Sequence, residues 1–205
     1  MEKAKEREAE RKDLRTTVRK DLRKTLRERR NALNRAQQAQ AALAIVDTVA
    51  ALPQWQNAKR IALYSAFDGE ISTLPLAEHA RRCSKQVYLP IISSHEALMF
   101  GLWGDDAILD ENNYGILQPG KSAEPHSIAA MDIVFMPLVG WDEAGNRLGM
   151  GGGYYDRALA NQQDTLKVGL AHSCQQVPAI EPATWDIRMD YVVTNAGLHR
   201  CSVGH

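Results

Sequence analysis

The chain has 205 residues and a mass of 22.8 kDa, room for one α/β domain with a sizeable core or at most two small ones. Lys plus Arg and Asp plus Glu are both 25, so the formal net charge is zero, yet residues 1–30 hold 13 basic against 7 acidic side chains and the other 175 hold 12 against 18. A composition of 44% hydrophobic and 24% charged residues excludes wholesale disorder and collagen-like repeats, no stretch approaches the roughly 18 apolar residues of a membrane span, and the charged N-terminus with Glu2, Glu6, Glu8 and Glu10 argues against secretory and mitochondrial targeting segments.

Residues 11–33 have a helical pattern. Leu14, Val18, Leu22 and Leu26 recur every four residues as one apolar stripe, and Arg15, Arg19, Arg23 and Arg27 follow one position later as a basic ridge. Such a ridge is either a solvated helix face or a ligand-binding one, and the spacing leaves both open. Residues 1–10 lack the stripe and either fray or extend the helix. A second helix is predicted over 36–51, with Ile45, Val46 and Val49 among its apolar positions and Pro53 as its stop.

Beyond residue 58 the texture changes to short apolar runs separated by helix-like stretches. Strands are predicted at 60–66 and 86–92, with a helix at 74–83 between them and a more exposed, antiparallel strand at 97–103. Residues 104–130 read as irregular, with turn signals at Gln118, Pro119 and Gly120. The most apolar strand is 132–139; a helix near 155–161 and strands at 166–171 and 191–194 complete the chain. Strands alternating with helices predict a single α/β domain with a mostly parallel central sheet flanked by helices, led by a long basic N-terminal helix. There is no internal repeat and no linker.

Six of the 14 glycines fall between Gly140 and Gly153, in a run that ends Gly151-Gly152-Gly153-Tyr154-Tyr155-Asp156. Without a Cβ, such backbone can converge on a ligand, and a helix start adds unpaired N–H donors, so the run is a candidate anion site that suits phosphate. Arg147 could add a forked donor. A plain flexible turn explains one or two glycines but not three in a row beside Arg, Tyr-Tyr and Asp. A Walker-A loop is disfavoured because Tyr154 follows Gly153 where Lys is required, and so is the dinucleotide fingerprint, whose glycine spacing and downstream acid the run does not match. Asp156, in the first turn of the following helix, is either a favourable charge at a helix start or a Mg²⁺ ligand beside phosphate, and Asp186 is a possible second carboxylate. Cys83, Cys174 and Cys201 are too scattered for a disulfide framework, a metal site or an evident catalytic thiolate, which predicts a reduced, cytoplasmic protein. His172 is read as structural, and Trp55, Trp103, Trp141 and Trp185 as packing residues, Trp141 being the one next to the glycine run.

The run NRLGMGGGYYDR, preceded by DIVFMPLVGWDEAG, resembles the signature of the 5-formyltetrahydrofolate cyclo-ligase family. RKDLR at 19–23, FDGEIST at 67–73, VYLP at 87–90, YGILQP at 114–119 and WDIRMDYVVT at 185–194 match in the family's order. The resemblance implies a cyclo-ligase domain over 19–205 behind a charged extension over 1–18. It implies an enzyme that converts 5-formyltetrahydrofolate and ATP to 5,10-methenyltetrahydrofolate, ADP and phosphate with Mg²⁺. Arg147 and Asp156 would then be catalytic. Arg19, Lys20 and Arg23 would meet ATP phosphates, with Arg147, Leu148, Gly149, Met150, Gly151, Gly152, Gly153, Tyr154 and Tyr155 holding the nucleotide. Many family members have Lys where this chain has Arg19, and whether Arg19 or the adjacent Lys20 meets phosphate stays open. Glu70 would hydrogen-bond the folate in a pocket lined by Ser65, Tyr114 and Tyr154, and Met150 with Gly151, Gly152 and Gly153 would lie where the two ligands meet. Asp156 and Asp186 would hold Mg²⁺. The expected partners are these small molecules, with no nucleic acid, no membrane and a monomeric chain. Two other classes fit the residues less well. A nucleic-acid binder would use the basic helix on a phosphate backbone, against an acidic remainder. A coiled-coil module would want apolar spacing alternating at three and four, which the strict spacing of four does not provide.

Overall fold

The computed structural model describes residues 2–92 and 98–201, with side chains from Asp13 onward; the first residue of the predicted strand at 97–103 lies outside them. Helix α1 (Glu2–Asn31) continues the predicted pattern back through the charged segment. It stops where Asn34 starts α2 (Arg35–Ala50) with a capping box: the Asn34 Oδ1 accepts the Gln37 N–H at 2.9 Å and the Gln37 Oε1 accepts the Asn34 N–H at 2.9 Å. Strands β1 (Arg60–Ala62) and β2 (Gln86–Ile91) follow, joined by α3 (Leu74–Arg82). Then come β3 (Met99–Leu102), β4 (Leu109–Glu111), β5 (Leu117–Pro119), β6 (His126–Ser127) and β7 (Ile133–Pro137). A hairpin of β8 (Gly140–Trp141) and β9 (Arg147–Leu148) leads into α4 (Tyr154–Leu159), and β10 (Leu166–Ala171), β11 (Tyr191–Thr194) and β12 (Gly197–Arg200) end the described chain.

The main sheet has the order β12-β11-β10-β7-β1-β2-β3-β6. Its five central strands, β11 through β2, are parallel, and β12, β3 and β6 add antiparallel edges. The single-domain, mostly parallel α/β reading is therefore correct. Alternation along β7 shows why the sheet is buried on both faces: Ile133 and Phe135 pack with Ile45, Val49, Leu76 and Ala80 of α2 and α3, whereas Val134 and Met136 pack with Leu159 of α4 and Met189. Between β1 and β7 the strand order reverses, since the chain first builds outward through β2 and later through β10 and β11. At such a switch point the carboxyl ends of the strands diverge and leave a crevice.

Three expectations change. The strand predicted over 60–66 keeps only Arg60–Ala62 in the ladder, because Leu63 and Tyr64, though buried, carry the chain into a turn where Asp68 and Gly69 take positive φ. The segment 104–130, read as irregular, contains β4, β5 and β6, whose two- and three-residue ladders are too short to show a period. One tight turn lies at Gly115 (φ 71°), with the Asn112 Oδ1 accepting the Tyr114 and Ile116 N–H groups; Gln118 and Pro119 sit inside β5, and the turn they signal begins one residue on, where the Gly120 carbonyl accepts the Ala123 N–H at 2.9 Å.

Only part of the apolar stripe on α1 is used. Leu26 is fully buried with Leu22, Val139, Leu148 and Ile180, while Leu14 is 66% and Val18 54% exposed. A spacing of four advances about 40° per step on a helix of 3.6 residues per turn, so Leu14 is turned about 120° from Leu26. Leu26 lies so close to Gly140 that any side chain there would collide with it. Leu26→Ala is therefore expected to cost about 2–5 kcal/mol in a denaturant melt and Leu14→Ala less than about 0.5 kcal/mol.

Candidate functional site

A cavity of about 630 Å³ opens over the carboxyl ends of β1, β7 and β2. Tyr64 and Ser65 reach it from the end of β1, Leu138 and Val139 from the end of β7, and Ile92 from the end of β2. The loop from Gly149 to Gly153 and the first turn of α4 form another wall, and α1 lies across with Arg15, Arg19 and Arg23 facing in. Residues from distant parts of the chain meet here because the segments that follow β1, β2 and β7 end at the point where the sheet order reverses, and α1 packs across that opening.

Four charged side chains form two ion pairs on one wall. The Arg19 Nη2 donates to the Asp186 Oδ2 at 2.6 Å, and the Arg147 Nη2 donates to the Asp156 Oδ1 at 2.6 Å. The Asp156 Oδ1 also accepts the Ile187 N–H at 3.0 Å and the Asp186 Oδ2 the Ala183 N–H at 2.9 Å, which draws the two carboxylates onto neighbouring stretches of the wall. The Nε of Arg19 and that of Arg147 are buried without a hydrogen-bond partner. A buried donor left unpaired is costly, and donors of this kind on a cavity wall are where an acceptor on a ligand would restore the balance. Arg23 adds a third guanidinium, its Nε donating to the Gly149 carbonyl at 2.8 Å; burial, then repulsion by Arg19, pulls its pKa down.

The glycines have separate local reasons. Gly153, just before α4, takes φ 65°, and Gly151 takes φ 109° with its Cα facing the Arg23 guanidinium. At Gly152 a Cβ would press on the Tyr154 ring. Helix α4 has only six residues, so the helix-start contribution to anion binding is small and the arginines supply most of the positive charge.

Glu70 stands across the cavity. Its Oε2 accepts the Phe67 N–H at 3.2 Å, and its Oε1 lies 3.9 Å from the Arg30 Nη1. Burial raises its pKa to about 7, outweighing the opposing pull of Arg30. Tyr155 lies between the two groups: it is half-buried, its pKa is pushed up by desolvation and then by Glu70, and the Arg147 guanidinium sits 5.8 Å above its ring. At the mouth, Tyr114 and Tyr154 meet through their hydroxyls at 3.4 Å.

With that geometry in place, likeness to known proteins is specific. Residues 15–195 match the model of the 5-formyltetrahydrofolate cyclo-ligase family. The 5-formyltetrahydrofolate cyclo-ligase of Haemophilus influenzae is 40% identical over 160 residues, covering 76% of this chain and 86% of that protein. The Escherichia coli (strain K12) cyclo-ligase is 37% identical over 172 residues, covering 82% and 94%. In three dimensions the 5,10-methenyltetrahydrofolate synthetase of Aquifex aeolicus superposes with a TM-score of 0.80 at 29% identity, covering 92% of this chain and 95% of that one.

The chain belongs to the 5-formyltetrahydrofolate cyclo-ligase family.

As a cyclo-ligase family member it is an enzyme, and its fold brings most of the residues singled out in the sequence to one cavity. Arg19, Arg23, Ser65, Glu70, Tyr114, Arg147, Gly149, Met150, Gly151, Gly152, Gly153, Tyr154, Tyr155, Asp156 and Asp186 all line it. Two do not. Lys20 is exposed and outside the lining, because one residue on a helix turns the side chain by about 100° and α1 docks with Arg19 inward. Leu148 is fully buried with Leu26 and Val139 beneath the cavity and contributes packing there. Among the tryptophans, Trp185 departs from the packing role expected of it: it is 61% exposed on the cavity rim with the Arg15 guanidinium 5.7 Å over its ring. Trp141 is buried in the core outside the lining. His172 is buried, as a structural residue would be. Arg15 carries a sequence signal as a member of the basic ridge; Trp185 carries one only as the first residue of the motif at 185–194, since an exposed rim position leaves no periodic trace.

A hard divalent cation needs carboxylate oxygens and room for phosphate oxygens and water. Asp156 and Asp186 meet that donor chemistry: each uses a single oxygen in the ion pairs and backbone bonds above, and both line the cavity. Among the described residues no three His, Cys, Asp or Glu side chains converge on a point, so a metal here would complete its shell from ligand and solvent.

Proposed function

We propose that this enzyme uses ATP and Mg²⁺ to close 5-formyltetrahydrofolate to 5,10-methenyltetrahydrofolate, releasing ADP and phosphate. The observation that carries the reading is the cavity itself: a wall of three arginines, two with unpaired buried Nε groups, faces a buried, protonatable Glu70. The first suits a polyphosphate and the second the amide-like hydrogen-bonding edge of a pterin.

In this mechanism a formamide carbon is a poor electrophile until its oxygen becomes a good leaving group. The formyl oxygen attacks the γ-phosphorus, the bond from that phosphorus to the bridging oxygen breaks, and ADP departs. N10 then attacks the activated carbon and loses its proton, and the carbon–oxygen bond breaks to release phosphate. The side chains of this chain hold and neutralise rather than react. Arg147, Arg19 and Arg23 bind phosphate oxygens. The glycine run lets the chain approach them closely, and Met150 lies between the ligands. Glu70, with Ser65, Tyr114 and Tyr154, orients the pterin so that its formyl oxygen faces the phosphate. Asp156 and Asp186 would hold Mg²⁺, which supplies charge neutralisation on the phosphates. The ridge arginines Arg19 and Arg23 turn into the cavity, which favours one nucleotide over a nucleic-acid backbone as the partner. The reading treats 1–18 as an extension of the domain at 19–205 and the protein as a cytoplasmic monomer; among the described residues no helix is long and apolar enough to cross a membrane.

The direct test mixes protein, ATP, Mg²⁺ and 5-formyltetrahydrofolate and follows methenyl absorbance; folded protein that yields no ATP-dependent product refutes the reading. Arg19→Ala is expected to raise the KM for ATP about tenfold or more, as loss of a charge-assisted contact does, and Lys20→Ala to change it less than about twofold. Steady-state titration of ATP for both variants checks this, and equal effects would reassign the phosphate contact.

A further inference from the structure

The loop that carries Glu70 is fastened to α1 by a network that the chemistry above does not use. Asp68 sits at φ 51°, a left-handed conformation uncommon for a residue with a side chain. Its Oδ2 accepts the Arg27 Nε at 2.6 Å and the Arg30 Nη2 at 2.9 Å, and its Oδ1 accepts the Asn31 Nδ2 at 3.0 Å. Its carbonyl accepts the Arg30 Nε at 2.7 Å. The next carbonyl, of Gly69, accepts the His172 Nε2 at 3.2 Å, which places that ring proton on Nε2 because a carbonyl can only accept. Gly69 itself takes φ 75°, and a Cβ there would collide with the Asn31 Oδ1.

Arg30 is the centre of this arrangement. It is fully buried, and its Nη1 also donates to the Leu138 carbonyl at 3.1 Å, just past the end of β7. Burying a guanidinium is costly, and an apolar side chain at that point of α1 would extend the stripe that ends at Leu26 without the cost. What Arg30 provides that an apolar residue would not is a fixed place for residues 67–70 relative to α1 and β7.

Donors from the last two turns of α1 therefore hold the Glu70 loop, while Arg23 and Arg19, one and two turns before Arg27, line the opposite wall. Helical rise sets Arg23 and Arg27 about 6 Å apart along the axis. We infer that Asp68 is a positioning residue that pins the Glu70 loop to α1, so that this one helix fixes the separation between the pterin end and the phosphate end of the cavity. The naming of those two ends rests on the proposed function; the network does not.

The test measures equilibrium binding of 5-formyltetrahydrofolate and of ATP with Mg²⁺ separately, by titration calorimetry on the full chain, with far-ultraviolet circular dichroism and a melting midpoint for each variant. Asp68→Asn keeps the size and tolerates positive φ but removes the charge, and Asp68→Gly keeps the backbone conformation alone. Both are expected to weaken folate binding about tenfold or more, as loss of charge-assisted hydrogen bonds does, and to leave the Kd for ATP within about twofold. Should either fail to fold, Arg27→Gln, at the partly exposed edge of the network, is expected to raise the folate Kd about threefold by removing one of the contacts to Asp68. Folded variants with unchanged folate affinity overturn the inference, and so does an equal loss of affinity for both ligands, the mark of a merely structural role. Wild-type protein that binds neither ligand overturns the functional reading and takes this inference with it.

Discussion

Arg147→Ala is expected to lower turnover by about 10²–10³-fold, the usual effect of removing a positioned donor to a transferring or developing anion. Its side chain is only 5% exposed, held between Asp156 and the Tyr155 ring, and its Nε has no partner within the protein. Arg19 and Arg23 meet the phosphates from places of their own on the wall, held by Asp186 and by the Gly149 carbonyl, and do not fill the place of Arg147. The substitution also strands Asp156, so a stability loss of about 1–3 kcal/mol accompanies it, and rates must be read on protein shown to be folded at the assay temperature. Asp156→Ala should be similarly slow, and the double variant little slower than either, because both groups serve one bound triphosphate. Initial rates of methenyl formation decide the matter; a rate within about threefold of wild type removes Arg147 from the site.

Glu70 carries the second large effect, and it is a pH effect. The carboxyl is raised from its ordinary value of 4.5 to about 7 by burial. Between those values the folded state binds a proton that the unfolded state has released, so stability falls as pH rises across that window, by roughly 3 kcal/mol in all. Glu70→Gln removes this contribution, so its melting midpoint should lose the fall that wild type shows over the same range. Asp68 behaves oppositely: the Arg27 hydrogen bond leads in holding its pKa down to about 2, so its contribution is present above pH 3.8 and lost only as pH falls towards 2. In binding, a pterin that donates N–H groups to Glu70 selects the ionised form. The folate KM should therefore drop as pH rises from 6 to 8 in wild type. In Glu70→Gln it should be about 10-fold or more higher and independent of pH. A wild-type folate KM that is flat over this interval would mean that Glu70 does not meet the pterin.

Much of the site was legible in the sequence, for a local reason. Three glycines in a row before Tyr-Tyr-Asp, with Arg147 four residues before Gly151, satisfy a constraint written within a dozen positions. The basic ridge on α1 was equally visible as a spacing of four. What that spacing could not say is which side of the helix faces the cavity. Lys20 and Arg19 are neighbours, and only the docking of Leu22 and Leu26 against Val139 and Leu148 turns Arg19 inward and leaves Lys20 outside. The exposed Trp185 and the short strands β4, β5 and β6 left no periodic trace because periodicity registers burial over many residues, and these have little or are too brief.

The balanced net charge has the same division in it. Residues 19–30 alone hold seven basic against two acidic side chains, and that excess lies where α1 meets the cavity and the Glu70 loop. From the sequence by itself came the α/β class, the glycine wall, the ridge and the family to which they belong, because each is a pattern of near neighbours. The tertiary structure alone decided that Arg19 pairs with Asp186 across 167 positions, that Glu70 is buried enough to hold its proton near neutral pH, and that Asp68 ties its loop to α1. Those facts depend on the reversal of strand order between β1 and β7, which brings strand ends far apart in the chain to one crevice.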